Sequence, residues 1–189
     1  MLTIEIADTD HAAGICRVGT ESWRDAYASL LPAEYVEANI RLRYDAERIA
    51  GQIDGRNDAD GIGEWLVALD RGADGTDGGD RRAPDAAANE RIVGVVRDDR
   101  PEPGVGEVSD LYIHPDRQGE GIGTRLLSAL TGRQREDDTD EQHTYVFADN
   151  DAAIGFYESN GFTAEERSRA ATVDDVDPDC EAIRFVRSL

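Results

Sequence analysis

The segment Gly104–Leu130 constrains the fold of this chain more than any other. It reads GVGEVSDLYIHPDRQGEGIGTRLLSAL, an apolar strand-like run that leads through a His-Pro pair into a glycine-rich turn and then directly into an amphipathic helix. Gly119, Gly121 and Gly123 permit close approach to the backbone because they carry no side chain. The N–H groups of such a turn and the positive end of the helix dipole converge on one point. The segment therefore predicts an anion site, most often a phosphate site, between a strand and a helix.

Two common phosphate-binding motifs do not fit this turn. A Walker A loop requires a lysine, and all twenty basic residues of the chain are arginine. A dinucleotide-binding fingerprint has the spacing G-x-G-x-x-G near the start of a βαβ unit. Here the spacing is G-x-G-x-G, and the strand lies in the second half of the chain. Both of these classes are therefore disfavoured.

The hexapeptide Gln118–Gly123, QGEGIG, resembles the acetyl-CoA motif Q/R-x-x-G-x-G/A of the GNAT superfamily of N-acetyltransferases. A second segment, Asn150–Phe162, is similar to the block N-x-x-A-x-x-F-Y-x-x-x-G-F of the same family. The two motifs occur in the family's order, with the strand-like run Thr144–Ala148 between them. The resemblance covers Ile92–Phe162, and extends more loosely to Trp23–Tyr35.

The resemblance and the apolar periodicities predict a single domain over residues 1–189. We expect an α/β (α+β mixed) chain with the GNAT-like acyl-CoA N-acyltransferase fold, in which a mixed central sheet of six to seven strands carries helices on both faces. The predicted strands are Leu2–Ile6, Gly63–Asp70, Arg91–Arg97, Val105–Ile113, Thr144–Ala148, Phe162–Ala171 and Cys180–Arg187. The predicted helices follow Asp8 or Thr9, run from Pro32 to about Ile49, and span Gly121–Arg135 and Asp151–Asn160. The segment 71–90, rich in Gly, Asp and Ala without periodicity, predicts a mobile loop.

The resemblance also implies acetyl-CoA as cosubstrate and a set of residues that hold it. The backbone of Gln118–Thr124 would bind the pyrophosphate, and the end of the preceding strand would pair with the pantetheine arm. The cofactor-binding residues implied are Leu111, Tyr112, Ile113, Gln118, Gly119, Glu120, Gly121, Ile122, Gly123, Thr124, Asn150 and Tyr157. We expect no metal, because His11, His114 and His143 show no metal-ligand spacing.

Three polar residues are implied as chemical groups of the site. Tyr157 would protonate the departing thiolate, and Glu107 is the best candidate for the base that deprotonates the amine. Asp110 is the second candidate base and a candidate substrate contact. Regular strand alternation places Glu107 and Asp110 on opposite faces, but a β-bulge would change that parity. Water is a third possibility for the base.

Trp23 and Tyr27 lie one helical turn apart in the region that often lines the acceptor pocket of the family. They are candidate substrate contacts, although packing in the core is the more ordinary role of such aromatic residues.

The charge of the chain is the second feature that needs an explanation. The formal net charge is −21, from 41 acidic and 20 basic residues. Acidic residues spread along the whole chain favour a surface adapted to molar salt, as in an extreme halophile, over a docking face for a basic partner. Nucleic acid is an improbable ligand because no basic stripe is present.

Composition also gives expectations about location. No long apolar run predicts a membrane span, and the first twelve residues lack a signal-peptide pattern. Two isolated cysteines favour a reducing cytoplasm over a disulfide framework.

The function predicted is an N-acetyltransferase that moves the acetyl group of acetyl-CoA to a primary amine by direct attack in a ternary complex. The acceptor is either a small-molecule amine or a protein amine, and a homodimer is possible in this family. Two alternatives stay open: an acetyl-CoA-binding sensor or interaction domain without turnover, and an acyltransferase that uses a longer acyl-CoA.

Overall fold

The structure, a computed structural model, describes residues 1–55, 62–71 and 92–189. These residues form seven strands in one mixed sheet, in the order β1-β2-β3-β4-β5-β7-β6, and five α-helices. The strands are β1 (Leu2–Ile6), β2 (Ile62–Asp70), β3 (Ile92–Glu102), β4 (Val105–Ile113), β5 (Glu141–Phe147), β6 (Thr163–Arg169) and β7 (Glu181–Ser188). The helices are α1 (Ala12–Tyr27), α2 (Ala33–Arg43), α3 (Ala46–Ile53), α4 (Ile122–Glu136) and α5 (Asp151–Ser159). The mobile loop predicted for 71–90 lies, apart from Arg71, outside the described residues.

Helices cover both faces of the sheet, as predicted. Helices α1, α2 and α3 pack on one face around Trp23, Ile15 and Ile49, which are almost fully buried. Helices α4 and α5 pack on the other face around Leu126, Leu130 and the buried aromatic residues of α5 and β7. The predicted α/β class and the mixed sheet of six to seven strands are confirmed.

The prediction of one helix from Pro32 to about Ile49 is wrong. Helix α2 ends at Arg43, and Asp45 starts α3 by accepting a hydrogen bond from the backbone N–H of Arg48 at 2.8 Å. An aspartate whose side chain satisfies a free N–H is a strong N-cap, so the chain breaks the helix here. The break brings Tyr44, which is buried, back against the sheet.

Strands β4 and β5 are joined along only part of their length. They run parallel and pair at three positions, the last of which is Glu107 opposite His143. Past this point the Thr144 hydroxyl donates to the Val108 carbonyl at 2.9 Å, and no further pair joins the two described strands. The two strands therefore separate toward their carboxyl ends.

A bulge at Asp110 accompanies this separation. The register between β3 and β4 shifts by one residue between the pairs Arg97–Ser109 and Val95–Tyr112, and Asp110 adopts φ = 49°. An extra residue of this kind bends a strand and increases its local twist. The bulge lies where β4 leaves β5, at the mouth of the opening between them.

Within the described residues, no helix is both long and apolar enough to cross a membrane.

Candidate active site

The glycine turn has the geometry that the sequence predicts. Gly119 and Gly121 both have φ = 76°, a left-handed conformation that side chains strain. A Cβ at either position would have no neighbour within 4 Å, so conformation rather than space requires glycine. Gly121 caps α4, a helix of fifteen residues whose first N–H groups face the turn.

Two cavities meet beside this turn. The smaller has a volume of about 260 Å³ and lies between the end of β4, the glycine turn and α5. The larger is a cleft of about 930 Å³ that runs from the separated part of β4 and β5 to α2 and the segment after β6. Tyr157 lines both of them, together with Leu111, Ile113, Gln118, Gly119, Ala153 and Phe156.

The smaller cavity brings together eight of the residues implied as cofactor-binding. These are Leu111, Ile113, Gln118, Gly119, Gly121, Gly123, Thr124 and Tyr157. Gly123 allows α4 to approach α5 closely, because a Cβ there would lie 3.2 Å from the Phe156 ring. The four other implied residues lie elsewhere.

Those four residues differ in their surroundings. The Tyr112 ring lies on the opposite face of β4, against Trp23 and Tyr44. Ile122 is buried in the core beneath α4. Asn150 lines the larger cleft and caps α5, accepting a hydrogen bond from the Ala153 N–H at 3.1 Å. Glu120 is exposed and forms an ion pair with Arg117.

Arg117 is held by two carboxylates beside the turn. Its guanidinium lies 2.9 Å from Glu120 and 2.6 Å from Asp70. The hydrogen bond from Arg117 lowers the pKa of Glu120, and both partners raise the pKa of Arg117. The arginine therefore fixes the turn to the end of β2.

Tyr157 is buried among aromatic rings, and it lines the two cavities. Phe156 and Phe162 lie about 5 Å away by ring centroid, at 5.1 and 5.2 Å. Burial raises the pKa of Tyr157 well above its usual value, and the nearby Thr144 hydroxyl partly offsets that rise. The phenol is therefore neutral at any ordinary pH and is a hydrogen-bond donor.

Glu107 is half-buried on the wall of the larger cleft. Its carboxylate accepts a hydrogen bond from the Ser109 hydroxyl at 3.0 Å and lies 3.3 Å from the His143 ring. Burial acts to raise the pKa of Glu107, but the contacts with His143 and Ser109 and the charge of Arg97 outweigh it, so the pKa is lowered. Glu107 is thus an ionised carboxylate that faces the cleft.

Asp110 is buried in an ionic cluster beneath the same cleft. It accepts a hydrogen bond from the Tyr44 hydroxyl at 2.8 Å and forms ion pairs with Arg97 at 3.3 Å and Arg43 at 3.6 Å. The charge of Arg97 also lowers the pKa of Glu107, and Glu107 and Asp110 both line the larger cleft. The opposite-face placement expected from regular alternation is therefore wrong, because the bulge at Asp110 changes the parity of β4.

Trp23 and Tyr27 belong to the core and also line the larger cleft. They are 2% and 7% exposed, and their rings lie 4.7 Å apart. The indole Nε1 of Trp23 is buried without a hydrogen-bond partner in the described part of the chain. Burial raises the pKa of Tyr27, opposed by hydrogen bonds with Tyr112 and Asn150. Both side chains can therefore contact a ligand in the cleft while they pack in the core.

Sequence reasoning missed several polar residues of this site. Arg43, Tyr44 and Arg97 surround Asp110, and His143 contacts Glu107. No local pattern marks them, because each comes from an element distant in sequence from its partner. The β3–β4 and β4–β5 registers alone bring Arg97 and His143 beside β4.

Comparison with known proteins shows what part of this chain is similar to. Residues 86–164 match the model of the acetyltransferase (GNAT) domain. This matched segment contains β3, β4, the glycine turn, α4, β5 and α5, and so includes both motifs noted above. Residues 86–164 are therefore similar to a GNAT acetyltransferase domain.

Two relatives and a solved structure extend this result. The chain is 25% identical over 166 residues to the spermidine N(1)-acetyltransferase of Thermoplasma acidophilum, covering 87% of each protein. It is 40% identical over 60 residues to the mycothiol acetyltransferase of Kocuria rhizophila, which is 32% of this chain and 20% of that protein. The chain thus spans about a fifth of the mycothiol acetyltransferase that it matches.

The solved structure agrees with the fold of the described residues. The PaiA N-acetyltransferase of Thermoplasma acidophilum, in complex with coenzyme A, superposes with a TM-score of 0.71 at 22% identity, covering 97% of this chain and 98% of that one. The predicted GNAT-like fold is confirmed.

Proposed function

We propose that this protein is an N-acetyltransferase that moves the acetyl group of acetyl-CoA to a primary amine by direct attack in a ternary complex. The observation that carries the proposal is the position of Tyr157, which lines both the cavity beside the glycine turn and the larger cleft. A donor at that junction can reach a thioester held on one side and an amine held on the other. Acetyl-CoA as the cosubstrate is supported by the neighbour of known structure, which was solved with coenzyme A.

The residues around the smaller cavity suit the polar and extended parts of acetyl-CoA. N–H groups of Gln118–Thr124, at the positive end of α4, would bind the pyrophosphate. The part of β4 that has left β5, Leu111–Ile113, would accept the pantetheine arm as an added strand. Its N–H groups would also polarise the thioester carbonyl, which gains negative charge during attack. Asn150 would contact the cosubstrate from the other wall of the larger cleft.

Tyr157 would stabilise the leaving sulfur. A thiol of coenzyme A should titrate near a cysteine, at about 8.5, whereas burial holds the pKa of Tyr157 well above about 10. The thiolate is therefore a weaker base than the Tyr157 phenolate. Tyr157 stays protonated and acts by a hydrogen bond that strengthens as negative charge develops on sulfur, and the released thiolate takes up its proton from water.

Glu107 is the favoured base for the attacking amine. An amine of pKa about 10.4 needs roughly 4–5 kcal/mol to lose its proton at pH 7. Glu107 faces the cleft as an ionised carboxylate, whereas Asp110 is already occupied by Tyr44 and two arginines. Glu107 would accept the proton directly or through one water molecule.

The charges of the larger cleft favour a cationic amine as acceptor. Five carboxylates and two guanidinium groups line it among the described residues: Asp25, Glu107, Asp110, Asp149, Asp151, Arg43 and Arg169. Arg43 and Arg169 are paired with Asp110 and Asp177, which reduces their repulsion toward a cation. The spermidine acetyltransferase relative supports the same class. A small-molecule amine, a peptide amino terminus and a peptide lysine are the acceptors to compare.

The test is acetyl transfer measured by release of free thiol, with spermidine, a lysine peptide and an alanine-terminated peptide as acceptors. We expect acetyl-CoA to exceed propionyl- and succinyl-CoA in rate with at least one of these amines. Equal or higher rates with a longer acyl-CoA would replace acetyl transfer by a wider acyl transfer. Tight acetyl-CoA binding without transfer to any amine would favour a sensor or interaction domain.

The net charge of −21 supports a protein that works in concentrated salt. Repulsion among surface carboxylates falls as the Debye length drops from about 10 Å at 0.1 M to about 3 Å at 1 M salt. The midpoint of thermal unfolding should therefore rise between 0.1 and 2 M KCl. A midpoint that is unchanged or falls would remove this part of the proposal.

A further inference from the structure

His143 meets the carboxylate of Glu107 where β4 and β5 last pair. The two residues are opposite each other in the parallel register, and Nε2 of His143 lies 3.3 Å from Oε2 of Glu107. The Ser109 hydroxyl donates to the other oxygen, Oε1, at 3.0 Å. The Glu107 carboxylate is thus held at both oxygens, and the residue lines the larger cleft.

The surroundings of the His143 ring select its tautomer. The residue is 5% exposed, and its Nδ1 is buried without a hydrogen-bond partner in the described part of the chain. A proton on Nδ1 would be a buried donor with no acceptor, whereas a proton on Nε2 faces a carboxylate. A proton on Nε2 therefore fits this site best.

We propose that His143 is a positioning residue for acetyl transfer, which donates from Nε2 to Glu107 and fixes the Glu107 carboxylate toward the acceptor amine. The proposal rests on the proposed function, in which Glu107 accepts the amine proton. His143 itself lies behind the carboxylate and does not line the cleft. Its effect on the reaction therefore passes through Glu107.

The other charges near this pair come from three strands. Arg97 on β3 acts on Glu107 and is paired with Asp99 and Asp110. Tyr145 and Glu141 lie two residues from His143 on β5, and the Tyr145 ring is 5.6 Å from the imidazole. On β7, Arg184 is paired with Glu141 and Glu165. These neighbours stay in place when the imidazole is removed.

Loss of the imidazole should therefore change the titration of Glu107 in a known direction. The contact with His143 lowers the pKa of Glu107, whereas burial raises it. In His143→Leu the lowering contact is lost, so Glu107 should protonate at a higher pH, by about one to two pH units for a hydrogen bond to a charged group. His143→Gln keeps an N–H donor and should keep most of the wild-type value.

The first experiment follows the Glu107 carboxyl carbon by NMR as pH changes, in wild type, His143→Leu and His143→Gln. Glu107→Gln identifies the Glu107 signal, and His11→Gln is the matched control, since His11 lies outside both cavities. We expect the upward shift in His143→Leu only. A Glu107 titration that is the same in His143→Leu and wild type would overturn the proposal.

The second experiment measures kcat/KM against pH for the same proteins. In His143→Leu we expect the acid limb to move up with the Glu107 titration, and kcat at the plateau to fall about tenfold as the carboxylate loses its orientation. In a Glu107→Gln background the His143→Leu change should have no further effect on kcat. A tenfold loss that persists in that background would assign His143 a structural role instead.

The NMR experiment does not require an active enzyme. Failure of the proposal for His143 can therefore be distinguished from failure of the proposed function. Suppose that the wild-type protein transfers no acetyl group but the Glu107 titration shifts in His143→Leu. That result would remove the proposed function and retain the effect of His143 on Glu107. If His143→Leu does not fold, the ring ¹⁵N shifts of the wild-type protein decide. A proton on Nε2 at neutral pH supports the proposal, and a ring without a proton on Nε2 overturns it.

Discussion

The two halves of the β4–β5 junction consist of the same two strands, but the strands pair in one half and separate in the other. In the first half, from Val105 to Glu107, the strands pair and a buried polar network fastens α4 beneath them. In this network, Gln134 donates to Asp98 at 2.5 Å and accepts from Gln142 at 2.6 Å. In the second half, from Ser109 to Ile113, the strands separate and cavities open between them.

The difference shows how the fold combines a rigid base with an open site. The closed half joins Asp98, Gln134 and Gln142 in one buried hydrogen-bonded network, which specifies one register. The open half leaves β4 free to pair with an extended ligand, and the bulge at Asp110 is held there by ion pairs with Arg97 and Arg43. Changes at Tyr157 in the open half should therefore affect catalysis, whereas changes in the Gln134 network of the closed half should affect stability.

The largest expected effect is in the open half. Tyr157→Phe removes the donor to the leaving sulfur and keeps the ring that packs against Phe156 and Phe162. We expect kcat to fall at least about 100-fold, which corresponds to about 2.7 kcal/mol in the barrier. The affinity for acetyl-CoA, measured by calorimetry, should change little. An unchanged kcat would remove Tyr157 from the chemistry.

The second largest effect that we expect is a loss of stability from a change in the closed half. A Cβ at Gly106 would overlap the Gln134 amide, which is fully buried and bonded to Asp98 and Gln142. Gly106→Ala should displace that amide and leave buried polar groups unpaired, with a loss of about 2 kcal/mol in the free energy of unfolding. Denaturant unfolding in 2 M KCl measures this change.

Gly132→Ala is the matched control for this substitution. Gly132 is an exposed residue inside α4, and a Cβ there would meet nothing within 4 Å. The control should gain up to about 1 kcal/mol, because alanine favours the helix more than glycine does. Equal effects of the two changes would contradict the idea that the closed half depends on its polar network.

The smallest effect that we expect is a loss of stability at Thr144, where the closed and open halves of the β4–β5 junction meet. Thr144→Val keeps the shape of the side chain but removes the hydrogen bond to the Val108 carbonyl. We expect a loss of about 1 kcal/mol in the free energy of unfolding. Thr163→Val is the comparison, because its weaker bond to the Val186 carbonyl, at 3.4 Å, lies on the exposed edge strand. A larger loss in Thr163→Val would argue against a special role for Thr144.

The sequence predicted the elements whose signals are local and missed those that depend on register. The glycine turn, α4 and the motif on α5 follow from spacing and periodicity, and the structure brings most of their implied residues to one cavity. The break at Asp45 had a local signal, an N-cap aspartate, that the apolar pattern obscured. By contrast, the contact between Glu107 and His143 joins residues 36 apart, and only the parallel pairing of β4 with β5 creates it.

The faces of β4 that Glu107 and Asp110 occupy also depend on more than the local sequence. Alternation alone separates Glu107 from Asp110, and a single residue with positive φ reverses that result. Asp110 forms ion pairs with Arg43 on α2 and Arg97 on β3, and no window of sequence around Asp110 contains these contacts.

The most direct test of the proposed acetyl-CoA site is calorimetric titration of acetyl-CoA into wild type, Gly121→Glu and Gly132→Glu in 2 M KCl. Both variants add one negative charge to α4, but only position 121 lies at the turn, where the charge would repel a phosphate and a side chain would strain the left-handed backbone. We predict tight binding by wild type and Gly132→Glu, and its loss in Gly121→Glu. Equal binding by all three folded proteins, or none by the wild type, would contradict a cosubstrate site at the glycine turn.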